Sequence, residues 1–289
     1  MAAVIHESTP RPPRRDPLPL RGRTALVTGA SRRNGIGYAT ARRLAAYGAS
    51  VYLHHHVPHD AAQPWGADPE GPGRLAADLG ELLAEGAVAA HGAADLAEPE
   101  APAHLVEAAA EALGGRLDIL VANHALSGRD GPLEAVDAGM LDAHWQVNAR
   151  SGVLLAQAFA RHRERAAEAA GRPEDLPAGR IVFMTSGQDL RGGMPNELAY
   201  SISKGALATA VRALATALAG RRITVNAVNP GPVDTGYLTG ADHAAVAALF
   251  PGGRWAEPDD PARLVAWLTT DEAAWITGEV VNSEGGFAR

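Results

Sequence analysis

The chain has 289 residues, with 26 Lys and Arg against 33 Asp and Glu for a formal net charge of −7. That balance argues against a general attraction to nucleic acid or an anionic membrane, and the length is enough to bury one large core. There is no cysteine, so disulfides and thiolate catalysis are excluded, and no apolar run is read as reaching the roughly 20 residues of a membrane helix.

Residues 1–20 carry Pro10, Pro12, Pro13, Pro17 and Pro19 among arginines. They lack the apolar stretch of a signal peptide, so a flexible arm is expected, with a strap over a neighbouring subunit as the alternative. Residues 21–289 are expected to form a single cytoplasmic domain. Arg23 to Thr28 reads as a short buried strand. The turn Gly29-Ala30-Ser31-Arg32-Arg33-Asn34-Gly35-Ile36-Gly37 follows, then an Ala-rich helix over about 38–47 that stops at Gly48. Strand, glycine-rich turn and helix form the context in which glycines let a backbone approach a pyrophosphate and a helix N-terminus receives its charge. The next strand, Ser50 to Leu53, begins at βαβ spacing and runs into His54, His55 and His56. The segment 57–73 is rich in Pro, Gly and Ala and contains Trp65. It either folds over the ligand or is an uninvolved surface loop.

Further on, Asp118-Ile119-Leu120-Val121-Ala122-Asn123-His124-Ala125 is a buried strand ending in polar residues, and Arg180 to Ser186 is another. In open parallel sheets ligands bind beyond the carboxyl ends of the strands, so Ser186 faces the same crevice as the glycine turn. Tyr200 and Lys204 follow, four residues apart on one helix face. An ammonium beside a phenol favours the phenolate and lowers a pKa of about 10. Such a pair moves protons at a carbonyl or alcohol oxygen. The helix over about 199–219 has little charge beyond Arg212, which implies burial on more than one side. Strands alternating with helices throughout argue for an α/β fold with a doubly wound parallel sheet, the Rossmann fold.

Taken together, Thr28-Gly29…Gly35-Ile36-Gly37, Asp95, Asn123, Asn148, Ser186, Tyr200/Lys204, Asn229-Pro230-Gly231, Ile276-Thr277-Gly278 and Gly285-Gly286-Phe287 stand in the order of the short-chain dehydrogenase/reductase family, which this chain resembles over about 21–289. The resemblance implies Tyr200 as the acid/base and Lys204 as the group that lowers its pKa and holds the nicotinamide ribose. It implies Ser186 as the residue orienting the substrate oxygen, Asn148 as the positioner of a relay water, and Asp95 as an adenine contact. Pro230, Gly231, Val233 and Thr235 would receive the nicotinamide amide. It also implies a dimer or tetramer built partly on the 199–219 helix and the helix carrying Asn148. The turn departs from the family pattern: five residues separate Gly29 from Gly35, two more than usual. The usual Asn-Asn-Ala-Gly is here Ala122-Asn123-His124-Ala125. His124 brings a titratable ring toward the cofactor, with a packed ring bonded to backbone as the plainer expectation.

Charge suggests the cofactor. An Asp or Glu at the end of the second strand would bond a ribose 2′-hydroxyl. That region offers histidines, with His55 the candidate contact, and no carboxylate until Asp60. Arg32 and Arg33 in the turn suit a 2′-phosphate, so NADP(H) is favoured over NAD(H). The rival leaves one arginine solvated, the other in a surface ion pair, and NAD accepted. A metal on His54, His55, His56 and His59 is not expected, because alternate strand residues face opposite ways. The substrate side falls to 236–255, with Tyr237, Leu238, Leu249, Phe250 and Trp255 as an apolar wall. Gln188, Leu190, Met194 and Glu197 stand before Tyr200. The expected activity is hydride exchange between NADP(H) and a carbonyl or secondary alcohol. The alternatives are an enoyl-thioester reductase and a non-catalytic cofactor sensor. The former resembles this chain in its longer turn but has its Tyr seven residues before the Lys, where Glu197 stands.

Overall fold

A computed structural model of the chain describes residues 16–171, 174 and 176–288. Most of the expected proline-rich arm lies outside them. Leu20 belongs to the domain: it is fully buried and its N–H bonds the Tyr47 carbonyl at 2.9 Å.

Seven parallel strands make one sheet in the order β3-β2-β1-β4-β5-β6-β7. They are β1 Thr24–Val27, β2 Ser50–His55, β3 Ala89–Ala93, β4 Ile119–Ala122, β5 Gly179–Met184, β6 Ile223–Asn229 and β7 Val280–Asn282. Strands β1, β4 and β5 are buried at every position, as expected where helices cover both faces. Alternation sorts their side chains. Leu26, Leu120, Ile181 and Phe183 pack with Val106 of α4 (Ala101–Ala112), Phe159 of α6 (Ser151–Ala170) and Val211 of α7 (Leu198–Leu218). Val27, Ile119, Val121 and Val182 pack with Leu44 of α1 (Ile36–Ala46), Leu75 of α3 (Gly71–Asp78) and Val265 of the helix Asp259–Leu268. The strand order reverses between β1 and β4, the switch point where such folds open a crevice.

Elements anticipated from periodicity appear within a few residues of their expected bounds. The 57–73 segment is not a plain loop. It contains α2 (Val57–Ala61) and leads into α3. One expectation is corrected. With its 3₁₀ extension, α7 spans Leu198–Arg221 and is long and apolar enough, by length and composition, to cross a membrane. One side of it packs into the core, carrying Ser203, Lys204, Leu207, Val211 and Ala215, and a third of its apolar stretch (33%) is buried. Its outer side leaves Ile202 exposed, and Trp145 and Val153 are exposed too.

Candidate active site

The turn after β1 is shaped by close approach. Gly29 has φ +67°, and a Cβ there would lie 2.7 Å from the His124 Cα. A Cβ on Gly37 would lie 2.4 Å from the Gly29 carbonyl oxygen. Only glycine fits either place without moving backbone. Asn123, at the end of β4, donates from Nδ2 to the carbonyls of Thr28 (3.1 Å) and Gly29 (2.9 Å) and so fixes the turn. The Gly29 N–H bonds His54 Nδ1 at 3.2 Å, and the other ring nitrogen of His54 faces the Ala94 carbonyl at 3.1 Å. That arrangement is satisfied by a neutral ring protonated at Nε2. Burial agrees, pushing the His54 pKa down to about 4. His124 is likewise packed. Its ring touches Thr28 Oγ1 (2.6 Å), Ser151 Oγ (2.7 Å) and the Val147 carbonyl (3.1 Å), and burial lowers its pKa to about 3.

Beyond this turn lies a cavity of about 530 Å³. Its floor is Gly29, Ser31, Arg32, Gly35 and Ile36, and Asp95, Asn123, His124 and Thr235 stand along its sides. Three features fit a dinucleotide. The two glycines leave the turn no side chain that would fill the approach. Helix α1 begins at Ile36 with no side-chain cap, so its N–H groups are available to phosphate. The cavity also runs past Asp95, whose Oδ1 accepts from the Ala97 N–H at 2.9 Å.

Several candidates fall elsewhere. His55 is turned away from the cavity and bonds His91 Nδ1 at 3.2 Å, whereas His54 and His56 line it. Strand alternation puts the flanking pair on the ligand side. Arg33 is held outside the cavity by Glu70 (2.8 Å) and Asp78 (2.7 Å). Arg32 stays inside. Its guanidinium lies 5.3 Å from the centroid of the Trp65 ring and donates to the Thr235 carbonyl. Trp65, Gln63 and His59 line the cavity too, so the 57–73 segment does cover it. A carboxylate is present as well. Asp60, on α2 and 8% exposed, lines the cavity and accepts from Ser31 Oγ at 2.5 Å. Sequence spacing missed it because a helix folds it back. The rule for carboxylates looks only at the strand end.

Ser186, Tyr200 and Lys204 gather beyond β5, outside the lining of that cavity. Helix α7 passes behind β5 and β6, and Lys204 is 2% exposed. Its Nζ donates to the Met184 carbonyl at 2.7 Å and stands 5.7 Å from the centroid of the Tyr200 ring. Burial pushes the Lys204 pKa down to about 8. The expectation of a lowered Tyr200 pKa is corrected. Burial, and then the Glu197 charge, hold this phenol above its ordinary range, while the Ser186 hydroxyl acts in the opposite direction. Four-residue spacing brings the groups onto one face but does not aim the ammonium at the phenol oxygen. Ser186 Oγ lies within hydrogen-bonding reach of the Tyr200 phenol and also meets a thioether, Met194 Sδ, at 3.5 Å.

Asn148 lies in a π-helical turn, Trp145–Arg150, between α5 (Ala138–His144) and α6. Such turns recur at functional sites. The Asn148 amide accepts from the Leu126 N–H (2.6 Å) and donates to the Leu126 carbonyl (3.1 Å) and Ser203 Oγ (3.0 Å). After β6, buried Pro230 leads into Gly231, which has φ +63° and bonds Asn229 Oδ1 at 3.0 Å. Val233 is buried and bridges to Ala256. Of the expected apolar wall, Tyr237 packs on Trp255 (5.6 Å), and Phe250 lies against Trp255 (6.4 Å) and Phe287 (5.0 Å). Tyr237 and Leu249 are both partly open to solvent, 40% and 43% exposed. Burial, with Glu197 and Asp234, pushes the Tyr237 pKa up to about 12.

A family model described as enoyl-(acyl carrier protein) reductase matches residues 29–288. An uncharacterised oxidoreductase, YjdA of Bacillus subtilis, is 40% identical over 92% of this chain and 96% of its own. A short-chain dehydrogenase from Burkholderia cenocepacia, solved in complex with NADP, is 35% identical with a TM-score of 0.76 over 92% of this chain and 98% of its own. LugOII, a promiscuous reductase that performs keto-reduction at C1 during lugdunomycin biosynthesis, is 36% identical with a TM-score of 0.74 over 92% and 98%. With this fold and these matches, the chain belongs to the short-chain dehydrogenase/reductase family of oxidoreductases.

Proposed function

We propose that the protein is an NADP(H)-dependent carbonyl reductase in which Tyr200 is the general acid. The observation that carries this reading is the meeting of Ser186, Tyr200 and Lys204 beyond β5, at the carboxyl edge of the sheet that also carries the glycine turn. An ordinary phenol, with a pKa of about 10, is already protonated at neutral pH and burial raises this one further, so it is equipped to give a proton to a carbonyl oxygen.

When bound, the nicotinamide cofactor supplies the hydride. The α1 N-terminus and the Gly29–Gly37 turn hold its phosphates, Asp95 its adenine, and the 230–235 segment its amide. Ser186 Oγ donates to the substrate oxygen and orients it. Tyr200 delivers a proton to the same oxygen as the carbonyl carbon is reduced. Lys204 supplies positive charge behind the phenol, and Asn148 holds the π-turn beside the relay path. Arg32 is the phosphate-binding cation at the ribose, with Asp60 and Asp68 as its nearby charges. The substrate is a moderately apolar carbonyl packed against Tyr237, Phe250 and Trp255. Two copies pair through the outer side of α6 and α7, where Val153 and Ile202 are exposed, and the protein works in the cytoplasm. Enoyl-thioester reduction is disfavoured because the position seven before Lys204 is Glu197.

The test has two stages. Cofactor titration, followed by tryptophan quenching, should give tighter binding of NADPH than of NADH. A carbonyl screen with NADPH should then find turnover that Tyr200→Phe removes while cofactor still binds. Turnover unchanged in Tyr200→Phe would sink the mechanism. Cofactor binding without turnover of any carbonyl would favour a sensor.

A further inference from the structure

We propose that Asp130 is a positioning residue for Tyr200, fixing from a distant loop the first turn of the helix that carries it. This rests on the reading of Tyr200 as the proton carrier. A helix leaves its first N–H groups without partners inside the helix. The residue before α7, Glu197, makes no side-chain cap. The loop after β4 supplies the acceptors instead. The Leu198 N–H bonds the Gly131 carbonyl at 3.2 Å, the Ala199 N–H bonds Asp130 Oδ1 at 3.0 Å, and the Tyr200 N–H bonds Asp130 Oδ2 at 2.7 Å. Both carboxylate oxygens are thus engaged, one of them by the backbone of the tyrosine itself. The Asp130 side chain is 5% exposed. Burial would raise its pKa, yet the N–H groups of Tyr200, Ala199 and Gly131 hold it below the usual range. It therefore stays ionised, the form a helix N-terminus favours.

The ring of Tyr200 is held from the same side. His144, fully buried at the end of α5, meets it edge-on at 6.4 Å, with its Nε2 4.0 Å from Asp130 Oδ2. The loop bearing Asp130 also begins at Asn123, which pins the glycine turn, and passes Leu126, which Asn148 holds. One loop therefore grips the phosphate-side turn at one end and the catalytic helix at the other. Nothing in local sequence signals this, because Asp130 lies 70 residues from Tyr200. A displacement of about 1 Å at a reacting group lowers rates by about 100-fold, so the grip is catalytic in its consequence while Asp130 itself touches no reacting atom.

The test uses the full chain with Asp130→Ala and Asp130→Asn. In Asp130→Ala, kcat for a carbonyl accepted by the wild type should fall about 10- to 100-fold. The dissociation constant for NADPH, read by tryptophan quenching, should stay within about twofold, because the glycine turn is still held by Asn123. Asp130→Asn keeps one acceptor and should recover part of kcat. Amide exchange should speed up over 198–203 and not over 36–46. In a Tyr200→Phe background, Asp130→Ala should lower residual turnover no further. Wild-type kcat, or unchanged exchange over 198–203, would overturn the proposal. So would loss of NADPH binding in step with kcat, which marks a general structural role. If Asp130→Ala fails to fold, Asp130→Asn carries the same readouts. Should the wild type reduce no carbonyl, the reading of Tyr200 fails, while the exchange data still decide whether Asp130 caps the helix.

Discussion

The two ends of the sheet treat buried polar groups in opposite ways. At the amino end, Asp118 is fully buried and holds Arg116 and Arg163, each at 2.9 Å, while the Thr24 N–H and hydroxyl reach it at 3.2 Å. Next to it Asp271 takes Arg180 at 2.9 Å and Arg23 at 2.5 Å. The charged side chains there are engaged with one another and with backbone carbonyls, with Arg163 Nε left without a partner among the described residues. At the carboxyl end, Ser186 Oγ meets the Tyr200 phenol and a thioether, Thr185 Oγ1 has no partner among the described residues, and helix α1 starts without a side-chain cap. Dense ion pairing at one end holds the fold, while the hydroxyls and the helix start at the other line the site. Charge density alone would point to the wrong end.

Exchanging the mutations between the ends breaks or sharpens that contrast. Asp118→Ala leaves the buried Arg163 guanidinium without its counter-charge. It should lower stability by about 3–5 kcal/mol, with kcat per folded molecule unchanged. Tyr200→Phe should lower turnover by about 10²–10⁴ and move the melting temperature little, since the ring and its packing on His144 remain. Chemical denaturation and steady-state kinetics on both variants decide it. If each variant moved both readouts, the two ends would not be separable as argued.

Much of the carboxyl-end site was legible in the sequence, the amino-end ion pairs were not, and the limits are physical. The glycine turn, the strand ends at Asn123 and Ser186, and the Tyr200/Lys204 helix rest on local periodicity and spacing, which fix which face a residue occupies. What failed needed direction or long-range geometry. His55 missed the cavity because strand register gives His54 and His56 the ligand side. Arg33 left the turn for Glu70 and Asp78, residues 37 and 45 positions away, which no local rule pairs with it. Asp60 returned to the cavity on a helix where a loop was expected, and Asp130 reached Tyr200 across 70 residues. The sign of the Tyr200 shift was misjudged because neighbouring charge was weighed without burial, and burial dominates.

A smaller effect separates the ends by pH. His54 beneath the glycine turn has its pKa depressed to about 4 from 6.5 by burial. The unfolded chain therefore binds the proton first as pH falls through 6.5. Stability from this residue is complete above that pH and is lost progressively down to about 4. At pH 5 the loss is about 2 kcal/mol. Denaturation at pH 7 and pH 5 should show it, and His54→Asn should flatten the dependence. On activity the alkaline side is set by Lys204. Its ammonium, with a pKa near 8, is lost above that value, so kcat/KM for reduction should decline as pH rises through 8.

The finest distinction lies inside the cofactor cavity. Asp60 and Arg32 bring opposite charges to one place, and the proposal of NADP(H) takes Arg32 as the stronger partner. A carboxylate 8% exposed on the cavity wall repels a 2′-phosphate and accepts from a ribose hydroxyl, so it acts against the guanidinium. Asp60→Asn keeps an acceptor for Ser31 Oγ and removes the charge. It should shift the ratio of NADPH to NADH affinity toward NADPH by about tenfold, or about 1.4 kcal/mol, and Arg32→Ala should shift it the other way. Neither should approach the stability loss of Asp118→Ala, because these groups border a cavity and water can reach the partner left behind. An unchanged ratio in Asp60→Asn would place the ribose away from Ser31. The two extra residues of the turn would then serve to carry Arg32 onto Trp65 and Thr235, closing the crevice rather than reading the phosphate.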